Sequence, residues 1–427
     1  MRNPLFLSLI ICLLGVVPAT PLKAEEKYEP LPTEYDGSMM PIDFATFTAP
    51  YELPDTLHPV YAVYISRHGA RYLSGPKKIA ALQKALDEAE KSHTLSEHGK
   101  AFLSYLKSVR ALNASNWGAL SPVGEMEQKM MGTRLLRAFP RLMHRNVKVE
   151  AVSTYVPRCV MTMYQLLYQF AWENHHVEVA TAEGPRYDHL LRGFAENKQV
   201  DEYRKSGDWK GVYDDFVARH VSVRPARSLF SKTGLSDVEL RNLTMDMYGV
   251  LQANRSMGYN APTTRWMSVD EYRGCWEASN LNHYLRNAIT PLSNLAARTA
   301  APLVNEIIEA TDHALTFPSQ SPVMNAYFGH AETLLPLFSL IRLPGCFAFP
   351  HDYDSLSNTW RVQDITPLGA NLLMIVSRGP SDTPYVSMQL NGCKISPMVN
   401  GPENVAWSTL RSYWLELMES YGADGTR

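Results

Sequence analysis

The sequence predicts an α/β protein in which a central mixed sheet, flanked by helices, carries a mainly helical insertion. Three short apolar runs, at residues 60–65, 147–153 and 323–329, have the β-branched and aromatic composition of buried strands. Between the second and third runs, residues 187–313 mostly space their apolar side chains as helices do. We therefore expect an α/β core built from residues 25–185 and 315–427, with a helical insertion domain at residues 186–314.

The chain begins with a segment typical of a secretory signal peptide, residues 1–24. Arg2 gives it a basic start, residues 5–17 are apolar, and Ala24 is a small residue at the expected cleavage point. Charged residues 25–27 and several prolines follow, which disfavours an N-terminal helix buried in the core. We expect export, to the periplasm or out of the cell. Because no other run approaches eighteen apolar residues, we expect no stable membrane insertion.

Charge and cysteine content narrow the classes of function. The formal net charge is −2, and loss of Arg2 and Lys23 with the signal would take it to −4. A mildly acidic protein is a poor candidate for binding nucleic acid, so any anion site must be a local cluster of basic residues. Four cysteines remain, namely Cys159, Cys275, Cys346 and Cys393, which permit two disulfides in three connectivities. No Cys-x-x-Cys or histidine-rich cluster suggests a metal.

The first predicted strand stops at a charged motif, Arg67-His68-Gly69-Ala70-Arg71. Binding sites in open α/β sheets lie at the carboxyl ends of strands, so the motif stands where a site is expected. A neutral imidazole can attack phosphorus, guanidiniums can hold phosphoryl oxygens in bidentate fashion, and a glycine lets the backbone approach closely. The alternative interpretation is an exposed turn whose charges fall there by chance.

The next elements have recognisable helix starts. Pro76 begins a helix that runs to about Lys91, and Ser121 caps a second that runs to about Phe139. Residues 147–153 form a strand, and the helix after it carries Arg158 in its first turn. Amide groups at a helix start and a guanidinium together favour phosphate binding, although a lone arginine there is more often exposed to solvent.

Later segments repeat this pattern. Residues 177–182 are a predicted third strand, and Arg192, near the start of the helical block, is a candidate to reach a substrate. Residues 323–329 end at His330-Ala331-Glu332, and an apolar helix follows from 333 to 341. Alone, this triplet favours a structural histidine with a glutamate stabilised at a helix start. Its pairing with the upstream motif favours a site.

These motifs resemble a known family. Arg67-His68-Gly69-Ala70-Arg71 resembles the signature of the histidine phosphatase superfamily, in its acid phosphatase and phytase branch. Most acid phosphatases of that superfamily carry His-Asp at the second motif, whereas His330-Ala331-Glu332, within residues 329–337, resembles the multiple inositol polyphosphate phosphatases. Residues 367–372 and 385–392, both predicted to belong to strands, are also similar. The resemblance runs from about Tyr61 to the end and is weakest in the helical block.

The resemblance implies a phosphomonoesterase that needs no metal or cofactor. His68 would attack phosphorus and form a phosphohistidine, and Glu332 would protonate the leaving alkoxide and then activate water. Four residues would surround the phosphoryl group: Arg67, Arg71, Arg158 and His330. His68 must then be neutral while Glu332 is protonated. Because the arginines lower the pKa of both groups, the proton on Glu332 must come from acid pH or from the field of a bound polyanion.

The expected substrate is an inositol polyphosphate such as phytate, hydrolysed by a monomer. A broad-specificity histidine acid phosphatase is the alternative among enzymes. A protein that binds phosphate esters without hydrolysing them is the alternative from another class. The motifs leave the order of phosphate removal open.

Overall fold

The structure is a computed structural model that describes residues 29–47, 53–139, 142–143 and 147–423. The predicted signal peptide, residues 1–24, lies outside the described residues.

The described strands form one mixed sheet in the order β3-β2-β4-β1-β5-β6-β7, with β8 paired to β6. Strands β1 to β4 run parallel to their neighbours, and β5 to β8 pair antiparallel. The predicted mixed sheet is therefore confirmed. The bounds are β1 His58–Arg67, β2 Val147–Ser153, β3 Val177–Glu183, β4 Met324–Gly329, β5 Asn371–Arg378, β6 Pro384–Leu390, β7 Cys393–Ile395 and β8 Asn404–Ala406.

Helices surround the sheet and fill the insertion. Those of the core are α1 Lys77–Lys91, α2 Glu97–Asn113, α3 Pro122–Ala138, α4 Pro157–Glu173, α14 Ala331–Leu340, α15 Val362–Ile365 and α16 Trp407–Ser420. Between β3 and β4 lie α5 Asp188–Leu191, α6 Gly193–Glu196, α7 Lys198–Ser206, α8 Trp209–His220, α9 Arg224–Ser228, α10 Asp237–Leu251, α11 Val269–Asn287, α12 Leu295–Arg298 and α13 Ala301–Thr316.

Strand β1 is buried on both faces, which explains its unbroken apolar sequence. Tyr61, Val63 and Ile65 belong to a large core that also contains residues of α13, α14, α16 and the insertion. Ala62 and Tyr64 alternate with them and join a second core with residues of α3 and α4. Because successive side chains of a strand point to opposite faces, one run of apolar residues serves both cores. The domain boundaries at 185 and 315 stay predictions.

The predicted elements differ from the observed ones mainly at their ends. Helix α14 begins at Ala331, two residues before the predicted start, because His330 acts as its N-cap and its N–H donates to Thr333 Oγ1 (3.0 Å). Consequently Glu332 lies inside the first turn of the helix. Strand β2 has the predicted bounds, and Ser121 caps α3 as expected, its hydroxyl accepting from the N–H of Gly124 (3.3 Å).

Three of the four cysteines are buried free thiols, namely Cys159, Cys275 and Cys346. A disulfide pair among the four is therefore not formed, and the three connectivities considered above do not arise. Over the described part of the chain, every helix is too short or too polar to cross a bilayer.

Candidate active site

Three parallel strands end side by side and bring the predicted residues together. Arg67 at the end of β1 is opposite Gly329 at the end of β4, and Ser153 at the end of β2 is opposite Phe328. Because β4 lies between β1 and β2, His68, His330 and Thr154 follow three adjacent strand ends. Helices α4 and α14 begin directly beyond two of these ends, so their N-terminal N–H groups lie at the same edge.

His68 is held in a defined orientation and protonation state. Its side chain is buried, and Nδ1 lies 3.0 Å from the carbonyl oxygen of Gly69. Since a carbonyl only accepts hydrogen bonds, Nδ1 carries the proton and Nε2 carries the lone pair. Burial, followed by the charges of Arg158, Arg67 and Arg71, holds the pKa of His68 well below its ordinary value. The imidazole is therefore neutral and able to attack through Nε2.

The arginines of the first motif are buried with little anionic compensation. Arg67 Nη1 donates to the carbonyls of Ser38 and Thr366, each at 2.6 Å, and Arg71 Nη1 donates to the carbonyl of Tyr72 (2.8 Å). Burial lowers the pKa of Arg67 to about 10 and that of Arg71 to about 9, so both stay charged at neutral pH. Among the described residues, the Nε groups of Arg67 and Arg71 have no hydrogen-bond partner. Such a cluster favours an anion.

His330 connects the second motif to Arg158. Arg158 Nη2 lies 3.4 Å from His330 Nδ1, and because a guanidinium only donates, Nδ1 accepts and Nε2 carries the proton. Burial, followed by the charge of Arg158, lowers the pKa of His330 to about 3. The rings of His68 and His330 meet edge to face with centroids 5.6 Å apart. His330 is thus a neutral donor facing the nucleophile.

Glu332 lies at the start of α14 beside a basic group from the insertion. Arg204 Nη2, on α7, lies 3.5 Å from Glu332 Oε1, and a third of the Glu332 side chain is exposed. Burial acts to raise the pKa of Glu332, but the charge of Arg204 outweighs it and holds that pKa well below its ordinary value. The empty site therefore keeps Glu332 ionised, in conflict with its predicted role as a proton donor.

Helix α3 supports the motif from behind. The Glu127 carboxylate accepts from the backbone N–H of Ala70 (2.7 Å) and of Ile42 (3.2 Å). A Cβ on Gly69 would meet the Gly124 carbonyl oxygen at 3.0 Å, so only glycine fits this approach comfortably. The hydroxyl of Thr162, on α4, accepts from the Gly69 N–H (3.0 Å) and donates to the Arg158 carbonyl (2.7 Å). This hydroxyl links the nucleophile loop to the helix that carries Arg158.

The insertion adds residues that the motifs do not reveal. Arg192 pairs with Asp188 (3.0 Å) and lies over the rings of Tyr155 and Phe194, while Phe194 meets His330 edge to face. Arg192 thus reaches the surroundings of His330, as its position suggested. Arg204, His283, Arg286 and Glu127 were missed. Only Glu127 leaves a sequence signal, because a carboxylate falls on the buried face of an otherwise apolar helix.

The site as a whole fits a phosphoryl group. A neutral nucleophile lies among buried guanidiniums at the ends of strands and the starts of helices, which is the arrangement that stabilises phosphoryl oxygens. Within the described ranges, no three His, Cys, Asp or Glu side chains come together as metal ligands.

Comparison with known proteins places the chain in a family. The sequence model of the histidine phosphatase superfamily (branch 2) matches residues 60–391. Human multiple inositol polyphosphate phosphatase 1 is 24% identical over 415 residues, which cover 88% of this chain and 83% of that protein.

Solved structures share the fold. One is a Bifidobacterium longum multiple inositol polyphosphate phosphatase in complex with inositol hexasulfate, with a TM-score of 0.75 at 16% identity, covering 89% of this chain and 97% of that one. Another is the phytase from D. castellii, with a TM-score of 0.67 at 16% identity, covering 92% and 88% of the two chains. The resemblance inferred from the motifs is confirmed: the chain belongs to the histidine phosphatase superfamily, branch 2, and is a hydrolase of that family.

Proposed function

We propose that this protein is an exported phosphomonoesterase that hydrolyses inositol polyphosphates such as phytate through a phosphohistidine intermediate. The observation that carries the proposal is the state of His68. A neutral imidazole, with its proton fixed on Nδ1 by the Gly69 carbonyl, lies among Arg67, Arg71 and Arg158. Export is proposed from the signal-like sequence of residues 1–24 alone.

The reaction proceeds in two balanced steps. His68 Nε2 attacks phosphorus and the bond to the ester oxygen breaks, while Glu332 gives its proton to the departing alkoxide. Glu332, now ionised, takes a proton from water, whose oxygen attacks the phosphohistidine and releases inorganic phosphate. Arg67, Arg71, Arg158 and the Nε2–H of His330 hold the equatorial oxygens in both steps.

The choice of inositol polyphosphates is supported by charge beyond the phosphoryl site. Arg192 and Arg204, both from the insertion, lie over the ring of Phe194, which itself contacts His330. Their guanidiniums lie where phosphate groups next to the scissile one would bind. The human and Bifidobacterium longum relatives are named for the same substrate class.

The deciding experiment is release of phosphate from inositol hexakisphosphate in the presence of a chelator. We expect steady turnover by the parent, acid-labile labelling of the protein in the first turnover, and loss of both in His68→Ala. That variant should stay folded, because His68 follows a strand and lies outside both apolar cores.

Other outcomes point elsewhere. Equal turnover across sugar, nucleotide and inositol phosphates would support the broad-specificity alternative. Tight binding of inositol hexakisphosphate without phosphate release would establish a binding protein. Substantial activity in His68→Ala would remove His68 as the nucleophile.

A further inference from the structure

The insertion places a cation against the group that must donate a proton. Arg204 is only 13% exposed in its side chain, and its Nη2 lies 3.5 Å from Glu332 Oε1. Its Nη1 donates to Asn287 Oδ1 (2.8 Å), and its guanidinium lies over the Phe194 ring, 5.1 Å from the centroid. Arg204 is therefore held from two further sides while it faces Glu332.

Other charged and titratable groups surround Glu332 from several elements. The β1 loop contributes Arg67 and Arg71, the cap of α14 contributes His330, and α11 contributes His283 and Arg286. Burial lowers the pKa of His283 to about 4, so its ring is neutral at ordinary pH, and its Nε2 lies 3.1 Å from Ser38 Oγ. Arg204 is the cation paired directly with the Glu332 carboxylate.

An ionised Glu332 cannot protonate an alkoxide, so the Arg204 pair opposes the first chemical step. A substrate with a phosphate next to the scissile one changes this balance. A dianionic phosphate is a stronger partner for a guanidinium than a carboxylate is, and its own field favours protonation of Glu332. A monophosphate has no second group with which to do either.

We propose that Arg204 makes proton donation by Glu332 conditional on a second phosphate group of the substrate. Without that group, Arg204 pairs with Glu332 and keeps it ionised. With it, the guanidinium pairs with the phosphate, and Glu332 takes up the proton that it then gives to the alkoxide. This inference rests on the proposed function and adds a reason why polyphosphates are preferred over single phosphate esters. Arg204 acts through Glu332 and is a positioning residue for charge.

The test follows the first-turnover release of the alcohol by rapid quench, at saturating substrate, across pH. β-Glycerophosphate supplies one phosphate and inositol hexakisphosphate supplies six, and both release an alkoxide. Activity that needs protonated Glu332 is present below its pKa and lost above it. In the parent, we expect this loss at least about one pH unit higher with inositol hexakisphosphate.

Variants separate the charge effect from simple phosphate binding. Arg204→Gln should move the loss for β-glycerophosphate upward by about one pH unit and narrow the gap between substrates. Arg204→Lys keeps a cation and should keep the parent profile. Lys198→Gln is the matched control, since it removes an exposed cation from the same helix, where Lys198 pairs with Glu202 at 3.8 Å.

Two results would overturn the inference. One is coincident pH profiles for the two substrates in the parent, a comparison that needs no variant. The other is an unmoved profile in Arg204→Gln with only a raised KM for inositol hexakisphosphate, which would make Arg204 a plain phosphate ligand. Failure of the parent to hydrolyse inositol hexakisphosphate would instead contradict the proposed function, and the β-glycerophosphate profiles would still report on Arg204.

Discussion

Glu332 differs in placement from the acid of a His-Asp motif. The carboxyl stands one residue further along and is longer by one methylene, and the observed start of α14 puts it within the first helical turn. The proton is therefore offered from a different direction relative to the phosphoryl group. This makes the leaving group a sensitive probe of its role.

We expect Glu332→Gln to slow the phosphorylation step with alkyl esters, inositol phosphates included, by roughly a hundredfold or more, because general acid catalysis is lost. p-Nitrophenyl phosphate should suffer much less in that step, since its leaving group departs as a stable anion. Burst kinetics separate this step from hydrolysis of the phosphohistidine. An equal loss for both substrates in the burst would assign Glu332 to positioning or to the fold.

The meeting of the two motifs could be predicted from sequence, whereas the insertion's part in the site could not. His68 and His330 both follow buried parallel strands, and the carboxyl ends of such strands share one edge of the sheet. Arg204 is different, because it lies on a short polar helix whose position depends on how the insertion folds back over α14. No local pattern records that long-range contact, so a solvated lysine and Arg204 look alike in sequence.

At the scale of elements, the packing of α3 against the nucleophile loop has almost no slack. A Cβ on Gly124 would lie 2.1 Å from the Ala70 carbonyl oxygen and 2.7 Å from its nitrogen. Both are backbone atoms of the motif, so relief requires the helix or the loop to move. The same turn of α3 carries Glu127, which holds the Ala70 N–H.

Gly124→Ala should therefore cost about 1–3 kcal/mol of stability through overpacking and up to roughly a hundredfold in kcat/KM through displacement of His68. Gly211→Ala in α8 is the matched control, because its Cβ would meet nothing within 4 Å. That variant should gain up to about 1 kcal/mol from helix propensity and keep full activity. Chemical denaturation and phosphate release measure both effects. A Gly124→Ala protein with parent stability and activity would show that the loop tolerates movement.

The same contrast explains which elements the sequence predicts well. Strands β1, β2 and β4 are central and buried, so their apolar runs are uninterrupted and their bounds are easy to read. The start of α14 was misplaced because histidine is an uncommon cap, and its role depends on a hydrogen bond to Thr333 that propensity does not encode.

For the whole molecule, buried ionisable groups connect global stability to pH. Burial raises the pKa of Glu127 to about 8, although the N–H groups of Ala70 and Ile42 act in the opposite direction. The unfolded carboxyl has its ordinary pKa near 4.5. Between these two values the folded protein binds the proton more tightly, so this group's contribution to stability is present below pH 4.5 and lost as pH rises towards 8.

We expect Glu127→Gln to remove this loss. The stability of the variant relative to the parent should rise with pH between 4.5 and 8, by on the order of 1 kcal/mol per pH unit, whatever constant cost the substitution adds. Glu97→Gln, which changes an exposed carboxylate at the start of α2, should leave the difference flat. Urea unfolding at several pH values gives the comparison. A flat difference for Glu127→Gln would mean that Glu127 ionises normally in the folded protein.

The position of β4 between β1 and β2 also governs when the protein can first work during synthesis. A nascent chain that ends before residue 324 holds the nucleophile, most of the clamp and the whole insertion, yet lacks the strand that joins β1 to β2. Closing that gap requires contacts between residues more than 170 positions apart in sequence, such as Val149 with Met324. Phosphatase activity therefore begins only after about three quarters of the chain has been translated, and ribosome-bound or truncated fragments are catalytically silent.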